Sequence, residues 1–232
     1  MTLTITWHGH ATFALEADGK QVLIDPWFTG NPACKSTADE QNPVAILITH
    51  AHNDHVGDTP EIAKRTGAKV VTINELANYL RHQGVENVAG GNHGGTIAFD
   101  GGTSKFVPAW HSSAISLDDG TVVAPGVPAG LIVRFGGKTV YFAGDTCLFG
   151  DMALIGEEGL DLAVLPIGDN FTMGPTDAVR AAKLLNAKAV LPCHFNTFPL
   201  IAQDAEQFKR DIEASTSSKG IVLQPGESIE VA

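Results

Sequence analysis

The chain is poor in cysteine, in positive charge and in long apolar runs. Its three cysteines, Cys34, Cys147 and Cys193, are odd in number and not closely paired. That speaks against a disulfide framework and for free thiols in a reducing compartment. Lysine and arginine total 15 against 26 acidic residues, giving a formal charge of −11 and a pI near 5.1. Such a balance disfavours an extended electrostatic grip on nucleic acid, although a local metal site could still bind an anion. No apolar run approaches the roughly 20 residues of a membrane span, and no charged-then-apolar leader with a cleavage site opens the chain. A cytoplasmic protein without membrane attachment is expected. With 44% hydrophobic and only 18% charged residues, the composition is that of a folded chain and not a disordered one. At 232 residues, without a linker or low-complexity tract, it is expected to form one domain over residues 1–232.

What the chain does have is a concentrated burst of metal-binding side chains in AILITHAHNDHVGD, residues 45–58. The apolar opening, Ala45 to Ile48, reads as a short buried strand. His50, His52, Asp54 and His55 follow within six residues. Two histidines two residues apart in extended chain point to the same side, and Asp54 and His55 face that space after a turn. Helix capping needs one oxygen and not three imidazoles, so metal binding is the stronger reading.

Further strands and helices alternate along the chain. TLTITWHGHATFALEA and KQVLIDPW form a strand pair across the turn Asp18-Gly19. Residues 29–42 read as a loop near the site mouth. Pro60 opens a helix that ends at Gly67, residues 68–73 form a strand, and Asn74 caps a helix reaching Gly84. GGNHGGTIAF and TSKFVPAWHSSA are glycine-bounded strands, and the second delivers His111. Residues 112–129 are loop. LIVRF and KTVYFAGDT then form strands, the latter ending at Asp145. DLAVLP is a strand, a helix starts near Pro175, and AKAVLPCHFNTFP delivers His194. A helix over 205–213 and a strand over 221–223 close the chain. This alternation implies a helix-covered sheet.

The candidate ligands His50, His52, Asp54, His55, His111, Asp145 and His194 each lie just past an apolar run, where a rigid element positions them and solvent still reaches them. They suit two divalent ions: His50, His52 and His111 on one, Asp54, His55 and His194 on the other, Asp145 between. Asp25 is placed to accept a proton from a ligand imidazole and fix its tautomer. His10 is either a substrate-facing catalytic group or a structural strand histidine; His8, His82 and His93 carry no assigned role. Asp169, Asn170, Asn196 and Thr197 sit at strand ends and are candidates for the pocket or for loop capping. Cys193 adjoins a ligand but should point away from it as a buried thiol.

The order H-x-H-x-D-H, then His, then Gly-Asp-Thr, then His resembles the metallo-β-lactamase superfamily over the whole chain. IDPWFTGNP, AGDTCLFGDM, PIGDNFTMGP and HFNTFP look like a subfamily of metal-dependent hydrolases similar to the lactonase that opens ascorbate 6-phosphate. The resemblance implies an α/β fold, an αββα sandwich of two mixed sheets, with the metal site at one edge. It also implies a hydrolase in which two ions share a water, with Asp54 moving a proton to the leaving group. Zinc suits the histidines, while the carboxylates admit manganese, iron or nickel. The expected partner is a small ester, lactone or phosphate-bearing substrate. The alternatives are a phosphodiesterase or nuclease of the same fold and a non-catalytic metal-binding regulator. Self-association is left open.

Overall fold

Side chains that alternate in and out along each strand divide the first sheet between two cores. The computed structural model describes residues 2–232. The first sheet is built from β1 (Leu3–Gly9), β2 (Thr12–Ala17), β3 (Lys20–Ile24), β4 (Ala45–Leu47), β5 (Lys69–Ile73) and β6 (Val88–Gly91). The second contains β7 (Thr96–Phe99) and β8 (Gly102–Pro108), after which a separate small hairpin, β9 (Ile115–Ser116) and β10 (Val122–Val123), interrupts the chain. It continues with β11 (Ala129–Phe135), β12 (Lys138–Phe142), β13 (Leu162–Pro166), β14 (Ala189–Cys193) and β15 (Lys219–Gly220). Strand β16 (Ser228–Val231) returns to the first sheet. The orders are β16-β1-β2-β3-β4-β5-β6 and β15-β14-β13-β12-β11-β8-β7. Both sheets are mixed: β3 to β6 and β12 to β15 are parallel, and the other pairs are antiparallel.

Val22, Ile24, Leu47 and Val71 turn inward to a core shared with Phe106, Leu131, Val133 and Phe142 of the second sheet. Phe13 and Phe142 meet across that interface with ring centroids 5.5 Å apart. The intervening Leu23, Ile46, Ile48 and Val70 turn outward to a second core. Six helices, α1 (Asn53–Val56), α2 (Thr59–Thr66), α3 (Asn74–His82), α4 (Met152–Gly156), α5 (Pro175–Leu185) and α6 (Ala205–Ser215), complete the layers among the described residues. Ile62 of α2 with Leu76 and Leu80 of α3 seals the outer core, while α5 and α6 pack on β13, β14 and β15. The result is two sheets packed face to face with helices outside each.

Most expected elements are present. The Asp18-Gly19 turn has φ of 51° and 72°, as a tight two-residue hairpin requires. GGNHGGTIAF, by contrast, is not one strand: residues 92–95 turn the chain from β6 at the edge of one sheet to β7 at the edge of the other. The apolar run 221–223 is not the closing strand either. Ile221 donates to the Val190 carbonyl, 2.9 Å, but the next bond of a parallel ladder would need an N–H from residue 192, which is proline. The ladder stops there, and β16, alternating Ser-Ile-Glu-Val, closes the first sheet against β1. The loop 29–42 holds only one 3₁₀ turn, Ala38–Glu40.

Candidate metal centre

Strands β1, β3 and β4 run in one direction in the first sheet, as do β8, β12 and β14 in the second. His10, Asp25, His50, His111, Asp145 and His194 all lie just beyond their C-terminal ends, the usual place for function in open α/β sheets. His10, Asp25 and His194 hold left-handed backbone conformations, with φ of 55°, 43° and 54°. Non-glycine residues rarely adopt them. The strand ends are stitched across the sheets by hydrogen bonds from His194 N to His10 O, 2.9 Å, and from Ala129 N to Thr49 O, 3.0 Å. The remaining ligand candidates come from α1. His52 precedes it in extended conformation, and its single turn swings Asp54 and His55 round to the same space. Gly57 ends that turn against the chain after β3; a Cβ there would fall 2.5 Å from the Pro26 carbonyl oxygen.

Two groups of ligand atoms result, each lying within 4.8 Å of one another: His50, His52, His111 and Asp145, and His10, Asp54, His55 and His194. Asp145 joins them. Its Oδ2 is 3.5 Å from His111 Nε2, 3.9 Å from His50 Nε2 and 3.1 Å from His194 Nε2, while its Oδ1 is 3.4 Å from His55 Nε2.

Asp25, almost fully buried, organises the imidazoles from behind. Its Oδ2 accepts from His55 Nδ1, 2.8 Å, and from the Thr49 hydroxyl, 2.6 Å; its Oδ1 accepts from Thr49 N, 2.8 Å. Thr49 in turn accepts from His50 Nδ1 at 3.0 Å. Both histidines therefore direct Nε2 inward. His55 Nε2 and Asp145 Oδ1 are buried without hydrogen-bond partners, as is His194 Nδ1. An imidazole nitrogen and a carboxylate oxygen facing one another out of water need a positive charge between them, a proton on His55 or a bound metal ion in its place. Nitrogen and carboxylate donors in this number match divalent zinc, manganese, iron or nickel.

Burial lowers the pKa of His50, and the positive charge of His55 adds to the effect. At His55 burial acts the same way, but the Asp145 and Asp25 carboxylates overcome it and raise its pKa well above the ordinary value. Asp145 would be raised by burial, yet His194 and His55 hold it well below the carboxylate range. His10 is fully buried and its pKa falls to about 4, with the Asp54 hydrogen bond opposing the fall. Neutral His10 accepts from the Thr197 hydroxyl at Nδ1, 2.9 Å, and donates from Nε2 to Asp54 Oδ2, 3.1 Å. In that state it braces Asp54 and offers no lone pair of its own.

The other sequence candidates are dispersed. Asp169 and Asn170 are exposed, with φ of 60° and 48°, and shape the turn that presents Phe171. Neither lines the cavity over the two groups. Asn196 is also outside it; its Oδ1 accepts from Gln203 N, 2.8 Å, and ties down the loop after β14. His8 packs on Phe28, Trp7 stacks on Phe195, and Cys193 is buried beneath the site beside Asp25 and Thr49. The cavity holds about 620 Å³ and is bordered by His52, Asp54, His111, Asp145 and His194, with Ser112, Phe171, Phe198 and Leu200 above. Sequence reasoning passed over Thr49, whose hydroxyl-bearing side chain beside His50 was its only signal, and the three apolar rim residues.

A family model described as a beta-lactamase superfamily domain matches residues 20–195. Proteins called UPF0173 metal-dependent hydrolase from Geobacillus thermodenitrificans and Pelotomaculum thermopropionicum are 51% and 47% identical to this chain; each match covers 99% of this chain and 100% of the relative. The solved structure of Igni18, a metallo hydrolase of the archaeon Ignicoccus hospitalis, superposes with a TM-score of 0.89 at 40% identity, over 100% of this chain and 99% of that one. The chain belongs to the metallo-β-lactamase superfamily, within a group of metal-dependent hydrolases.

Proposed function

We propose that this member of the superfamily is a two-metal hydrolase, a single cytoplasmic domain acting on a small ester, lactone or phosphate-bearing molecule. One observation carries this reading: a buried carboxylate, Asp145, stands between imidazoles of both ligand groups, and its Oδ1 faces an equally unpartnered His55 Nε2. His50, His52 and His111 would hold one ion, and Asp54, His55 and His194 the second, with Asp145 shared. When bound, paired divalent ions polarise a substrate oxygen and bring the pKa of water toward neutrality. Zinc suits the imidazoles, and the carboxylates admit manganese, iron or nickel.

The protein's own groups supply orientation and proton transfer. Asp25 and Thr49 hold His55 and His50 in the tautomer that directs Nε2 inward. His10, fixed by Thr197, pins Asp54 through Oδ2. That leaves Asp54 Oδ1, on a side chain 32% exposed at the cavity, to pass a proton to the leaving oxygen. The names of its relatives support a metal-dependent hydrolase as the class of activity.

The decisive experiment is metal content per chain in protein purified without added metal or chelator, alongside hydrolysis of ester, lactone and phosphodiester panels. About two ions are expected, falling to about one in His111→Ala, with turnover lost in His52→Ala while the circular-dichroism spectrum is unchanged. Less than one ion, not restored by zinc or manganese, would overturn the proposal.

A further inference from the structure

The cavity above the two ligand groups lacks positive charge. Among the described residues no lysine or arginine borders it; the charged side chains there are the carboxylates of Asp54 and Asp145. The cations lie elsewhere: Lys105 and Arg134 on Glu158, Lys188 on Asp161, Arg65 on the carbonyls of Ala38 and Gln41. The nearest helix start, α1, is a single turn. Above the ligands the wall is apolar. Phe171 is 52% exposed, Phe198 39% and Leu200 69%, and all three face the same cavity. Single exposed apolar side chains are ordinary, but three that line one cavity make a patch of the kind that marks a binding surface, and 620 Å³ is the size of a small-molecule site.

We infer that the substrate is a carboxylic ester or lactone whose acyl portion is neutral and apolar and lies against Phe171, Phe198 and Leu200. This inference rests on the two-metal hydrolase reading and narrows it. A phosphate or carboxylate remote from the scissile bond finds no counter-charge here and would lose its hydration against an apolar wall. The reaction balances without redox change. The oxygen of water bonds to the acyl carbon and one of its protons passes to Asp54. The bond to the alkoxy oxygen breaks, Asp54 returns that proton to the departing alkoxide, and the second proton of the water leaves with the carboxylic acid product.

The test is calorimetric titration of zinc-loaded protein with straight-chain hydroxamates from acetyl to octanoyl, and with inorganic phosphate and phenyl phosphate. Affinity should rise roughly two- to fourfold per added methylene until the pocket fills, with a negative heat-capacity change that grows with chain length. Phe171→Ser and Leu200→Ser, both at exposed positions, should flatten that dependence. Leu154→Ser, an exposed leucine on α4 outside the cavity, should leave the dependence intact. Affinity that does not vary with chain length, or phenyl phosphate bound more tightly than the octanoyl ligand, would overturn the inference. Chain-length-dependent binding without hydrolysis of any ester would overturn the hydrolase reading and leave the apolar pocket standing.

Discussion

At the scale of single residues, Asp25 has the widest reach, because one carboxylate fixes His55 directly and His50 through Thr49. Asp25→Ala should weaken metal binding by about 10- to 100-fold while retaining most secondary structure, read by titration with a competing chelator. His10 supplies a pH signature in metal-free protein. Its folded pKa, about 4, lies below the ordinary value of 6.5, so the unfolded chain binds the proton more readily. Its stabilising effect is complete above pH 6.5 and is lost as pH falls toward 4, by on the order of 3 kcal/mol. Urea midpoints of chelator-treated protein from pH 7.5 to 4.5 should fall more steeply in the parent than in His10→Gln. The convergence of these side chains was legible because His50, His111, Asp145 and His194 each follow an apolar run, and His52, Asp54 and His55 crowd in directly after the first of them. Phe171, Phe198 and Leu200 were not legible, since an apolar side chain in a loop looks the same in sequence whether it faces a core or a cavity.

At the scale of elements, the turn through α1 depends on close backbone approach. Gly57, at φ 42°, lies against Pro26 and Trp27, where a Cβ would come within 2.6 Å of Trp27 Cα. Gly57→Ala should cost more than about 2 kcal/mol and reduce bound metal, measured by thermal denaturation and metal analysis on the same sample. The hairpin of β9 and β10 is held to the ligand segment by Asn53, whose side chain accepts from Ser116 N at 3.0 Å and donates to Ser116 O at 3.1 Å. This attachment escaped the sequence, which offered residues 112–129 as loop without naming what anchors it. The closing strand was misplaced for a similar reason. Ile221 to Leu223 has the composition of a strand, but the proline that denies it a donor lies 29 residues earlier, on β14.

At the scale of the molecule, the proposed ligands are divided between the sheets: His50, His52, Asp54 and His55 follow β4, whereas His111, Asp145 and His194 follow β8, β12 and β14. Ions binding the folded state alone stabilise it by mass action, about 4 kcal/mol for each site held at a thousand times its dissociation constant. Chelation should therefore lower the melting temperature by roughly 8–16 °C per ion for a chain of this size, and zinc or manganese should restore it. Helices outside two mixed sheets were legible as alternating patterns; which strands share a sheet was not, because β16 pairs with β1 across almost the whole chain. The divided ligand set also makes the site a gauge. The coordination field of a spectroscopic ion such as cobalt would register the spacing of the two sheets, so a small slip of one against the other would change its colour while every strand remained intact.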